Sequence, residues 1–297
     1  MNFIGIAVLI LTVMLSALMR STESSASNRA NLQSRDLGSI VRKGSNTTYF
    51  DLLRMLLPDL ETSRIEPHTG IAHRTAPFRH ITEKGEAASL EGNFEITTFE
   101  DRLIMSDGKQ ILLLSLDLSA DGANAGTPYE GESTVLAAFS VEPTIKLLDV
   151  VDIKTDRFTS FLEGQSVFRL NSQNDAFVVN STHFNAGENY NDVTVLFLQA
   201  NQFKIITSLL LLNTQGCGAT INETPEFRVV PDSGRKYPSI VVRVKLKKDA
   251  DTNECDRRTP GYTRYYQAVF SWNQPQLQYR GNYRQIRALD RFNRRRL

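Results

Sequence analysis

The sequence predicts a mainly β fold: an antiparallel hairpin and meander body, either a β-sandwich or a small irregular propeller, with a short N-terminal helix and a basic C-terminal helix. Three observations predict it. Beyond Phe94, apolar and β-branched runs such as ILLLSL, TVLAAFSV, VTVLFL and SIVVRVKL recur with turn residues between them, the pattern of paired strands. The stretch from Thr134 to Val151 can be laid on that from Thr194 to Leu209, at an offset that drops from 60 to 58 residues, as a repeated hairpin unit would. Only two segments, one before and one after these runs, carry apolar residues at helical spacing.

Residues 1–26 come first. An uncharged run from Phe3 to Met19 is followed by small polar residues, which reads as an export segment. As a helix it spans about 26 Å against a hydrocarbon core of about 30 Å, so a cleaved signal peptide is expected, with Ser24-Ser25-Ala26 as the cleavage site. The absence of Lys or Arg before Phe3 departs from that pattern and keeps an uncleaved membrane anchor as the alternative. Residues 27–47 read as a flexible linker. Within residues 48–93, Phe50, Leu53, Leu56 and Leu57 mark one face of a short helix that Pro58 stops, and a connector rich in turn formers follows without a period. Residues 94–297 form the β domain. Its last segment places Tyr283, Ile286, Leu289 and Phe292 on one helical stripe, with Arg291, Arg294, Arg295 and Arg296 late in the helix, where its dipole favours positive charge.

Composition excludes some classes. A 297-residue chain with 41% apolar residues can build a substantial core, and a formal charge of +1 supplies no field that would recruit nucleic acid. The cysteines, Cys217 and Cys255, have no metal-type spacing, so in an oxidising compartment a disulfide between them is expected.

The nearest approach to a chemical motif is DLSADGANAG, residues 117–126. Asp117, Ser119, Asp121 and Gly122 fit positions one, three, five and six of a calcium loop, in which alternate side chains converge on the ion. Ala125 and Pro128 fall where an acid is required, and Asp-Gly is a common turn pair, so the segment reads as a strand-ending turn, with a calcium site as the alternative. His68, His73 and His80, with Glu66, share no helix or strand face and suggest no zinc site. Asp149, Asp152 and Asp156 read as charges at strand edges rather than a glycosidase pair. GxSxG, GxGxxG and GxxxxGK[ST] are absent. The preferred ligand-facing segment is THFNAGENY, in which His183, Asn185, Glu188 and Tyr190 gather in a polar loop between two apolar runs.

The functional expectation is an exported periplasmic, cell-envelope or extracellular protein that binds a ligand or an envelope component without chemistry of its own. Two alternatives stand beside it. One is a secreted hydrolase whose acids or His183 converge in a cleft; the other is an envelope assembly factor held to the membrane through residues 3–19.

Overall fold

The computed structural model describes residues 37–62, 70–72, 78–82, 85–87, 94–120, 132–153, 159–185, 188–216, 219–231, 235–249 and 260–295. Strands account for 64% of the structure, in antiparallel sheets with a sandwich-like layout and two helices, one of them at the C-terminus. Residues 1–26, expected to serve export, and Cys217, Cys255, Asp121, His68 and His73 lie outside the described residues.

The first helix, α1 (Tyr49–Leu56), starts at a capping box. The Thr48 hydroxyl accepts from the Asp51 amide while the Asp51 carboxylate accepts from the Thr48 amide, which satisfies two otherwise orphaned donors. The Thr48 amide, and after it the Thr48 hydroxyl, which also donates to Asp51 Oδ2, hold the Asp51 carboxyl below its ordinary pKa. The helix ends at Leu56, ahead of Pro58. Its buried face is Tyr49, Leu52, Leu53 and Leu56, a wider stripe than the expected one, with Phe50 only half-buried. The linker is tied down at its end: Leu37 is buried, and Ile40 bridges to Thr48.

An eight-stranded sheet follows. Its centre is the meander β5 (Phe94–Ser106), β6 (Lys109–Ala120), β7 (Glu132–Ser140) and β8 (Lys146–Asp152). The connector expected to be irregular supplies four short strands to its edges: β1 (Glu61–Thr62) and β2 (Gly70–Ala72) beside β5, and β3 (Arg79–Thr82) and β4 (Gly85–Ala87) beside β8. The β3–β8 pair is parallel. FEITTF and RLIM belong to one strand, because Glu100 and Asp101 sit within it without breaking the ladder. Strand β6 shows why the sheet is covered on both faces. Leu112, Leu114, Leu116 and Leu118 pack beneath α1, while Ile111 and Leu113 point to the other side.

That other side meets a nine-stranded sheet with the sequential order β10 (Val167–Asn171), β11 (Asn174–Asn185), β12 (Glu188–Gln199), β13 (Gln202–Gly216), β14 (Ala219–Val230), β15 (Ser239–Lys248), β16 (Tyr262–Asn273) and β17 (Gln278–Gly281). A short strand, β9 (Thr159–Phe161), pairs with β11. Phe177, Val179, Leu196, Leu198 and Phe203 of this sheet join Ile111, Leu113, Leu136 and Val151 of the first in one buried layer. Partly buried carboxylates fasten the layer. Asp149 Oδ2 accepts from the Phe203 amide at 2.8 Å and from Arg79 at 2.6 Å, and Glu100 Oε2 accepts from the Phe161 amide at 3.1 Å.

The second sheet is rolled. Strand β13 pairs with β14 only from Asn213 to Gly216; before that, β14 to β17 turn across the far face of β11 to β13. Val178, Val195, Phe197 and Leu211 from one half meet Val242, Val244, Phe270 and Tyr279 from the other. At the seam Phe168 stacks on Phe227 at 5.7 Å, and Gln165 donates to the Phe227 carbonyl.

The two hairpins that echo in sequence are β7–β8 and β12–β13. Each skips one residue of its second strand in the pairing, Leu148 in the first and Ile206 in the second, and those residues are aligned by the 58-residue offset.

Candidate binding groove beside the terminal helix

Because β14 leaves β13 early, the edge of β13 from Gln202 to Leu212 has no strand on its outer side among the described residues. The terminal helix, α2 (Arg284–Arg294), occupies that place. Its expected stripe holds: Ile286 and Leu289 are buried in the core of the roll, and Tyr283 and Phe292 pack beside them. A polar residue completes the attachment. Asn293, fully buried, donates to the Leu210 carbonyl at 2.9 Å and to Glu223 Oε2 at 2.8 Å, and the same carboxyl oxygen accepts from the Leu212 amide at 3.0 Å. The side chain does for the strand edge what a neighbouring strand does elsewhere, satisfying a partly buried carbonyl.

Between α2, β12, β13 and β17 lies an open groove of about 480 Å³. Leu209, Leu210, Ile286 and Leu289 supply its apolar floor, while Asp192, Asp290 and the arginines Arg280, Arg287 and Arg294 stand around it. Arg294 is neutralised locally, its Nε lying 3.0 Å from both oxygens of Asp290. Arg280 donates through Nε to Gln276, a neutral partner, and Arg287 lies 5.6 Å over the Tyr283 ring. Two guanidinium groups thus face the groove with no carboxylate paired to them among the described residues, a distribution that suits a carboxylate or phosphate.

The segment favoured from sequence is arranged differently from a loop. His183 and Asn185 belong to β11, Glu188 and Tyr190 to β12, and they form the cross-strand pairs His183–Tyr190 and Asn185–Glu188. The His183 and Tyr190 rings stack with centroids 4.5 Å apart, and His183 is 9% exposed. Two strand positions further along this face stands Asp192, on the groove wall, so the favoured segment adjoins the groove without lining it.

The other candidates are placed as follows. Asp117 lies in β6, where its Oδ1 accepts from the Thr134 hydroxyl at 3.2 Å, and Ser119 lies two positions on, paired with Glu132. Among the described residues no three metal-ligating side chains gather. His80 is a buried core histidine, its Nδ1 3.2 Å from Asp152 Oδ2 and 3.1 Å from the Asp152 carbonyl. Of the late arginines among the described residues only Arg294 lines the groove, and Arg280 and Arg287 were not singled out from the sequence. Their signal was faint: one arginine ends a strand, and the other opens a helix seven residues later. The chain matches no family model, no curated protein and no solved structure.

Proposed function

We propose that this protein is an exported, non-catalytic binding module whose groove beside α2 takes a small ligand with an anionic group and an apolar body. The observation that carries the reading is the pairing of an apolar floor with Arg280 and Arg287 in a space of about 480 Å³, within the range of about 300–1,000 Å³ common for ligand sites. Export rests on the apolar run from Phe3 to Met19, and an uncleaved anchor is the variant of the same reading. The hydrolase alternative has weaker support, since His183 is packed against Tyr190 and nearly sealed from solvent.

The test is a melting series of the full chain with hexanoate, inorganic phosphate and uncharged hexanol. An anionic probe at about a hundred times its dissociation constant stabilises by about 2.7 kcal/mol, a readable shift. Hexanoate should raise the midpoint, hexanol should not match it, and the shift should vanish in Arg280→Gln/Arg287→Gln. No shift with either anion, or an equal shift in the double variant, refutes the reading.

A further inference from the structure

The solvent face of β14, β15 and β16 carries a second surface. Cross-strand partners share a face, so the register Arg228–Val241–Val269, Glu226–Arg243–Gln267, Thr224–Lys245–Tyr265 and Asn222–Lys247–Thr263 lays out this face row by row. The alternate residues Ile240, Val242, Val244 and Leu246 are buried in the roll, which directs Val241, Arg243, Lys245 and Lys247 outward. Four cations therefore stand on one sheet face: Arg228, Arg243, Lys245 and Lys247. The acids that answer them are few. Glu226 is 3.9 Å from Arg243, and Asp249, just past the strand, is 2.8 Å from Lys247. Among the described residues no carboxylate pairs with Arg228 or Lys245.

Exposed apolar residues collect on the same face. Tyr265 is 51% exposed, Val269 40% and Val230 38%, and Val230 shares the face of Arg228 two positions before it. The Arg243 guanidinium lies 3.8 Å from the centre of the Tyr265 ring, which keeps charge and aromatic side by side. Cations interleaved with exposed valines and a tyrosine match the headgroup zone of a bilayer, where anionic lipid attracts the charges and amphipathic rings settle. A single-stranded nucleic acid takes several stacking rings in succession, and this face offers one.

From these observations we infer that the outer face of β14–β16 docks onto anionic phospholipid. The surface shares no residue with the groove, so either reading can fail alone. An uncleaved segment at residues 3–19 would raise the local concentration of the face at a membrane, and the face itself supplies the lipid selectivity.

The experiment is flotation of the full chain with vesicles of phosphatidylcholine alone and with about 30% phosphatidylglycerol. Comparing variants within the full chain holds the contribution of residues 3–19 constant. Each cation near such a surface contributes about a fivefold gain in partition, so Arg243→Glu/Lys245→Glu should lower the phosphatidylglycerol-dependent partition at least about 25-fold. Partition onto neutral vesicles should not change, and about 0.5 M salt should reduce the wild-type gain in the same direction. Arg228→Glu/Lys245→Glu repeats the test should the first pair fold poorly, and Arg291→Glu/Arg295→Glu, on the terminal helix, should keep the gain. Three results overturn the inference: no phosphatidylglycerol dependence in the wild type, retention of the gain by folded sheet-face variants, or its loss in the terminal-helix pair. Binding of a single-stranded oligonucleotide without vesicle binding assigns the face to nucleic acid and overturns it as well.

Discussion

Replacing Asn293 by alanine should detach the end of α2 from the strand edge it covers. The amide donates to two acceptors, the partly buried Leu210 carbonyl and the buried Glu223 Oε2. A neutral hydrogen bond contributes about 1 kcal/mol, one to a charged acceptor about 1.5–3, and an acceptor left dry costs its desolvation. Glu223 Oε2 keeps the Leu212 amide, whereas the Leu210 carbonyl loses its side-chain donor. The loss should be about 3 kcal/mol, and at about 2–4 °C per kcal/mol for a chain of this size the melting midpoint should fall by about 6–12 °C. Thermal melts followed by circular dichroism read this directly. Asn293→Asp should lose more than Asn293→Ala, because it has no N–H to donate and sets a second acid against Glu223. A midpoint for Asn293→Ala within about 1 °C of wild type would refute the argument that this side chain holds the helix, since such a small shift is worth well under 1 kcal/mol.

Three further outcomes are expected. At Gly281 an added Cβ would lie 2.5 Å from Phe270 Cε1, a fully buried ring; Gly281→Ala should cost about 1–3 kcal/mol in a urea titration, and an unchanged midpoint would show that β17 is loosely held. Asp149→Ala removes the acceptor shared by the Phe203 amide and Arg79, and should cost about 2–4 kcal/mol in the same assay, with a loss below about 0.5 arguing against a fastened layer. Burial raises the Glu100 pKa despite the Phe161 amide that pulls it down. The folded state therefore favours the protonated acid, and the penalty of the ionised form at neutral pH is relieved as pH falls through the raised value toward the ordinary glutamate range. Glu100→Gln should gain most over wild type near neutrality, and urea midpoints that differ equally across the acid range would contradict this.

Much of the architecture is legible because it follows from periodicity. Alternation along SIVVRVKL and the three-residue stripe of Tyr283, Ile286 and Leu289 report directly which side faces the core, and the structure buries Ile240, Val242, Val244, Leu246, Ile286 and Leu289, with Tyr283 packed beside them. Strands β1 to β4 were hidden in the connector because segments of two to four residues are too short to show a period. The roll of the second sheet was hidden for a different reason: it depends on where β13 and β14 part, and register is a property of two strands together. The groove shares that difficulty. Nothing local joins Arg280 to Asp192, or Asn293 to a glutamate 70 residues earlier. His183 could be picked out as a polar residue between apolar runs, but the same pattern fits a strand end whose ring is stacked on its cross-strand neighbour.

The edge of β13 runs through ITSLLLL, a largely apolar, uncharged stretch, and the Asn293 amide that caps it comes 83 residues after Leu210 in the sequence. Strand and cover are therefore made at different times, and any length of chain that holds β13 but not yet α2 leaves an apolar edge open to a second copy. A variant cut short before α2 would keep that edge open for good, so the helix guards the protein against its own copies as well as closing the roll.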